Sequence, residues 1–190
     1  FFIDKKEVTQ GEFKGLTRSS LQNQITLNSW GEAAGEGDNF PMYYVTWKEA
    51  FDYCKAVGKK LPTSAQWEFA ALGGANASSK TTYSGSNTVG DVAWYKGNAN
   101  GTTHSVGLKA PNALGLYDMS GNVLEWTNDW YGPQTIEGDF QQDPQGVDDG
   151  SYKVVRGGGW NNQDYQLKIP VASGNNPDFR SSNVGFRCAY

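Results

Sequence analysis

A chain of 190 residues is long enough to bury a core of its own, and its formal charge of -4 with a pI of about 5.0 leaves no basic excess with which to hold nucleic acid or an anionic membrane. No apolar run approaches the length that spans a bilayer, so membrane insertion by this segment is not expected. With 24 glycines, seven tryptophans and 14% aromatic residues, the composition predicts one ordered, loop-rich domain whose core is assembled from large rings.

Three helix starts share one chemistry. Thr9 with Glu12, Thr46 with Glu49 and Thr63 with Gln66 each fit a capping box, in which the Thr hydroxyl accepts from a backbone N–H and the third residue on reaches back. Val8 and Phe13 sit where a hydrophobic staple would close the first box. After the second, Trp47, Ala50, Phe51, Cys54 and Val57 recur at helical spacing until Gly58. The third opens a helix through Trp67 and Ala70 that ends at Gly73 and Gly74. Residues 75–131 read as glycine turns with scattered aromatics and residues 132–150 as a polar loop; residues 151–160 and 184–190 read as short strands. Residues 160–183 show neither a helical nor a strand period. With no repeat and no linker, the pattern is a single α+β domain over 1–190 with its helices in the N-terminal half.

The chemistry-bearing residues are sparse. Cys54 and Cys188 are read either as two buried thiols or as one disulfide, and spacing does not choose between them. The single histidine, His104, is read as a surface loop residue. Asp118, Glu125, Asp129, Asp143, Asp148, Asp149 and Asp164 form no recognisable acid–base pair.

Read together, FFIDKKEVTQGEF, PMYYVTWKEAFDYCKAVGKKLPTSAQWEFAALGG, PNALGLYDMSGNVLEWTNDWYG, VVRGGGWNN and VGFRCAY resemble, in this order, the formylglycine-generating enzyme (sulfatase-modifying factor) family across the whole chain. The resemblance implies a C-type-lectin-like fold of the larger, more irregular kind and a disulfide between Cys54 and Cys188. It also implies a calcium ion held by the side chains of Asp118 and Glu125 and the main-chain carbonyls of Gly121 and Val123, a donor set of hard oxygens on a glycine turn; the alternative is a tight turn in which Asp118 and Glu125 accept backbone N–H bonds with no metal, and no cofactor is required. A second calcium site of the family matches poorly and is not carried over. The family's oxidases use a pair of cysteines after the RGG motif and a related branch uses several histidines on iron. Residues 160–183 contain no Cys and the chain has one His, so no redox metal is expected and the reading is of a protein that is not an enzyme. Asn100, Gly101 and Thr102 form a glycosylation sequon, meaningful only in a eukaryotic secreted protein.

Within the family, residues 156–187 resemble the variable region of proteins diversified by a retroelement, in which adenines of a template repeat are randomised and Asn codons become Ser, Gly, Tyr, Phe, Val, Ala, Pro, Ile or Asp. NNPDFRSSNVGFR resembles NNPDNRNNN-x-GFR with Phe179, Ser181 and Ser182 in Asn slots; Tyr165, Val171, Ser173 and Gly174 fill similar slots upstream, and Ile169 and Pro170 lie in the reachable set. Gln163, Gln166 and Lys168 do not, although Gln163 and Gln166 are counted with the contact surface. Tyr and Phe among Ser, Gly and Asn are the composition of an antibody loop. The expectation is a non-catalytic binder displayed at a bacterial or phage surface. It would take an unknown macromolecular or cell-surface ligand as a monomer, with its export signal outside this chain. The varied side chains should share one exposed face, and Trp160 and Phe186 should be buried under it. The alternatives are an undiversified structural or interaction module of the family, or an oxidase of the formylglycine-generating type.

Overall fold

A computed structural model describes residues 1–26, 33–75, 80–133 and 144–190. Asp143 lies outside them. Among the described residues five short helices come first: α1 (Gln10–Thr17), α2 (Leu21–Thr26), α3 (Trp47–Ala56), α4 (Ser64–Ala71) and α5 (Val89–Val92). The strands β1 (Leu124–Trp130), β2 (Lys153–Arg156), β3 (Ala172–Asn175) and β4 (Val184–Gly185) follow, with a 3-10 turn at Asp164–Leu167. All three capping boxes form as read, and Val8 and Phe13 are both buried beside the first.

The sheet order is β3-β2-β1-β4, antiparallel except where β4 runs parallel to β1. β1 and α5 lie inside the stretch read as turns alone. β1 escapes a period-2 reading because Glu125, Trp126 and Thr127 are buried in succession, so it shows no alternation. β2 is shorter than the predicted strand because Gly157 and Gly158 adopt positive φ (89° and 73°) and turn the chain away. The predicted C-terminal strand survives only as Val184–Gly185; beyond it, the chain bonds the N-terminal segment, with Val8 N–H donating to Phe186 O, Asp4 N–H to Cys188 O and Phe2 N–H to Tyr190 O.

The main core lies between α1, α3 and the sheet. Phe13 stacks on Tyr53 (centroids 5.5 Å apart), and Phe186 meets Tyr53 edge-on at 5.3 Å. Trp126, Val155 and Cys188 complete it, and a second cluster gathers Trp67, Ala70, Leu116, Met119 and Ile169. Cys54 on α3 is disulfide-bonded to Cys188, with Cα atoms 5.6 Å apart and a sequence separation of 134.

Because that bridge closes most of the chain, the double substitution Cys54→Ala with Cys188→Ala is expected to lower stability by about 4–5 kcal/mol on the chain-entropy argument. The check is the urea midpoint of the variant against the oxidised protein.

Candidate binding surface

The carboxylates nearest the glycine turn face inward. Glu125 has no solvent exposure: its Oε2 accepts from Arg187 Nε (2.7 Å) and Trp67 Nε1 (2.8 Å), and its Oε1 accepts from Arg187 Nη2 (2.8 Å). Asp118 sits in the left-handed region (φ 56°) and accepts the Gly107 N–H through Oδ2 (2.6 Å), while its buried Oδ1 has no hydrogen-bond partner. The amide N–H of Val123 donates to Glu7 Oε1. Of the calcium set that the family resemblance implies, Glu125 is the member that does not fit a metal, because its carboxylate is already engaged, whereas Asp118 keeps one unpaired oxygen. A guanidinium already occupies both Glu125 oxygens, and no group of three His, Cys, Asp or Glu among the described residues is placed to hold a metal. The sequence could not show this, because Arg187 lies 62 residues from Glu125. Burial is the first cause that raises the Asp118 carboxyl to about 6 and the Glu7 carboxyl well above its ordinary range.

His104 is not a plain surface residue. Its ring stacks on Trp94 at 3.8 Å and lies 3.0 Å from Ala99 O. Asp148, Asp149 and Asp164 are exposed, whereas Asp129 is buried and accepts the Ser64 N–H at the start of α4 (2.7 Å).

Residues 156–187 divide into anchors and exposed positions. Leu167 and Ile169 are plugs: Leu167 packs with Tyr83 and Val92, and Ile169 with Trp67 and Met119. Ile169, read as a contact residue, is 2% exposed; it belongs to the core, because its side chain points inward from the turn that ends the 3-10 segment. Two arginines hold the rest. Arg156, itself buried, pairs with Glu68 and donates to Pro170 O (3.2 Å) and Val171 O (2.9 Å). Arg180 forms a two-point pair with Glu49 (2.8 and 2.9 Å) and donates to Tyr44 O, tying the loop to the capping box of α3. Sequence reading missed both arginines as anchors, although their placement beside the RGG and NNP motifs was a usable signal.

The exposed set is what remains. Tyr165 is 60% and Phe179 45% exposed; Gln163, Pro170 and Ser173 are exposed, and Gln166, Val171, Gly174, Ser181 and Ser182 are half-buried. Gln166 accepts the Gln163 N–H and closes the 3-10 turn. Phe186 is buried, but Trp160 is only half-buried: it leans on the core and donates its indole N–H to Ser182 O (2.9 Å). Gly174 faces the Tyr131 ring, which a Cβ there would meet at 2.7 Å, so a larger residue displaces Tyr131. A cleft of about 700 Å³ opens beside β3, lined by Glu68, Phe69, Asp129, Tyr131, Arg156 and Ala172, none of which except Asp129 stood out in the sequence.

Two outcomes follow from the buried carboxylates. Melting in excess chelator should match melting in calcium, since Glu125 is already saturated. The folded Asp129 carboxyl is raised from 3.8 to about 6, mainly by burial. The folded state then binds the proton more tightly than the unfolded one. Its contribution is full below pH about 4 and is lost as pH climbs to about 6. Asp129→Asn keeps the acceptor for Ser64 but does not titrate. Its melting temperature should gain on the parent by several degrees between pH 4 and 7, at roughly 2–4 °C per kcal/mol for a chain of this size.

Comparison with known proteins places this geometry. The chain is 41% identical over 154 residues to the serine/threonine-protein kinase pkn1 of Chlamydia pneumoniae, covering 78% of this chain but only 24% of the kinase. It is 29% identical over 231 residues to the inactive C-alpha-formylglycine-generating enzyme 2 of Bos taurus, covering all of this chain and 71% of that one. Treponema denticola variable protein 1 superposes with a TM-score of 0.82 at 27% identity, covering 98% of this chain and 82% of that structure. The fold is thus the C-type-lectin-like fold of few short helices and strands. Residues 1–190 match the sulfatase-modifying factor enzyme 1-like domain from end to end, and the chain belongs to that family.

Proposed function

We propose that this domain is a non-catalytic scaffold whose residues 156–187 present a retroelement-diversified binding surface to a macromolecular or cell-surface ligand. The reading rests on one observation: the segment is held through its main chain, and among the described residues the one side-chain hydrogen bond from a varied position is the local bond that the Ser181 hydroxyl donates to Asn183 Oδ1 (2.6 Å). Arg156 bonds the carbonyls of Pro170 and Val171, the Trp47 N–H donates to Pro177 O, the Tyr44 N–H to Ser181 O, and the Trp160 indole to Ser182 O. A carbonyl is present whatever residue the codon specifies. Side chains can then change at Val171, Ser181 and Ser182 without releasing the loop, and Tyr165 and Phe179 stand free as aromatic contact area.

The similarity to a Treponema variable protein and to a formylglycine-generating paralogue named as inactive supports this reading. Both cysteines are consumed in the disulfide, which leaves no thiol for the family's oxidation chemistry. Display at a bacterial or phage surface accords with the oxidised pair, and the domain is proposed to act as a monomer. The buried Ile169 and the Tyr131-covered Gly174 narrow the variable set to Tyr165, Val171, Ser173, Phe179, Ser181 and Ser182, with Gln163 and Pro170 at its margin.

The test is a phage-displayed library randomised at those six positions. Most clones should melt within a few degrees of the parent, and panning on an unrelated protein such as hen lysozyme should recover binders that lose affinity on truncating the residues at 165 or 179. Ile169→Ala, by contrast, should cost about 2–5 kcal/mol. A library that is mostly unfolded returns the domain to the undiversified module. So does a gene lacking a nearby adenine-variant repeat and a reverse-transcriptase neighbour.

A further inference from the structure

Among the described residues β3 is the edge of the sheet, and the hydrogen bonds of its neighbour fix which of its backbone groups face outward. The Tyr131 N–H donates to Tyr152 O (2.8 Å) and the Thr127 hydroxyl to Val154 O (3.1 Å), so Tyr152 and Val154 point toward β1. Backbone groups alternate along a strand, so Lys153 and Val155 point toward β3. The register pairs them with Asn175 and Ser173. The N–H and C=O of Ala172 and Gly174 are therefore left on the outer side, where they bond no group among the described residues. The same alternation aims Val154, Arg156, Ala172 and Gly174 at one face, which is the face of the 700 Å³ cleft, and Ser173 and Asn175 at the other.

We infer that this edge takes an extended polypeptide segment of the ligand as a further strand. The inference rests on the binding-surface reading and names its partner: a stretch of main chain in the β conformation that pairs with Ala172 and Gly174. Two donors and two acceptors without a partner among the described residues, at a spacing of two residues, are the template an incoming strand needs. The strand's alternate side chains would enter the cleft between Phe69 and Tyr131, and the others would lie beside Ser173. No proline or charged side chain blocks residues 172–175. This mode suits a surface whose residues change. Main-chain bonds supply affinity that no substitution other than proline removes, and the side chains supply selectivity.

The probe is a random dodecapeptide library on phage, panned against the whole domain, with recovered peptides synthesised. In the free domain the Ala172 and Gly174 amides should exchange with deuterium quickly and those of Ser173 and Asn175 slowly; bound peptide should protect the first pair. N-methylating the peptide's pairing amides should weaken binding about tenfold for each bond lost. Ala172→Pro deletes only an outward donor, so it should lower peptide affinity and keep the fold, whereas Ser173→Pro removes a ladder bond and should lower the melting temperature. The inference is overturned if Ala172 and Gly174 are already protected in the free domain. It is overturned equally if no peptide is recovered, or if recovered peptides protect other amides and tolerate N-methylation. Binders that depend on Tyr165 and Phe179 yet leave the edge untouched would remove the edge and leave the binding surface standing.

Discussion

A guanidinium with no access to water holds this molecule together. Arg187 pairs with Glu125 on β1, donates to Asp4 O in the N-terminal segment and to Tyr117 O before the glycine turn, and shares Glu125 with the Trp67 indole of α4. Five parts of the chain meet at one ion pair: the segment of Arg187 itself, β1, the N-terminal segment, Tyr117 and α4. Such a pair adds little over an apolar substitute, but loss of either partner strands a buried charge at about 3–5 kcal/mol. The pair thus acts as a registry device: the chain ends and β1 have one arrangement that satisfies it. Glu7 and Asp118 lie close by, and together with Glu125 they raise Arg187 further while their own carboxyls are pushed up by burial.

This centre explains why Asp118 and Glu125 read equally well as calcium ligands or as parts of a metal-free turn. A carboxylate on a sharp glycine turn looks the same in sequence whether its counter-ion is a metal or an arginine. Only the fold brings Arg187 to Glu125. The helices α1, α3 and α4, by contrast, were legible, because a capping box and the apolar stripe behind it are local features, whereas α2 and α5 carry no such box and were not read. β1 and β3 were not. β1 is buried without alternation, and β3, reading Ala, Ser, Gly, Asn, has almost no strand propensity; it exists because β2 lies beside it and Arg156 holds the carbonyls just before it.

Within residues 156–187 the same distinction separates what was read from what was missed. Exposed Tyr165 and Phe179 were recognisable by residue type. Leu167 and Ile169 lie two apart in a segment without a period, and only the turn at Asp164–Leu167 sends both into separate cores. Their apolar identity was visible, and the direction in which they point was not. Gly158 shows the packing that results: a Cβ there would meet Leu167 at 2.7 Å, so the RGG glycines make room for the plug as well as for the turn.

Tolerance to change along this segment is therefore graded. Ser182 contributes a carbonyl to Trp160, which any residue supplies. Phe179 donates its N–H to Asn176 O, so there proline alone is excluded. Ser173 also needs its N–H, for the ladder to Val155. Gly174 is limited by the Tyr131 ring, and Ile169 by the core. The freedom at each position follows from which atom holds it: positions fixed through the carbonyl accept most side chains, positions fixed through the amide reject proline, and positions fixed through the side chain do not vary at all. Tolerated change on this scaffold is consequently confined to the residues whose side chains the fold does not use.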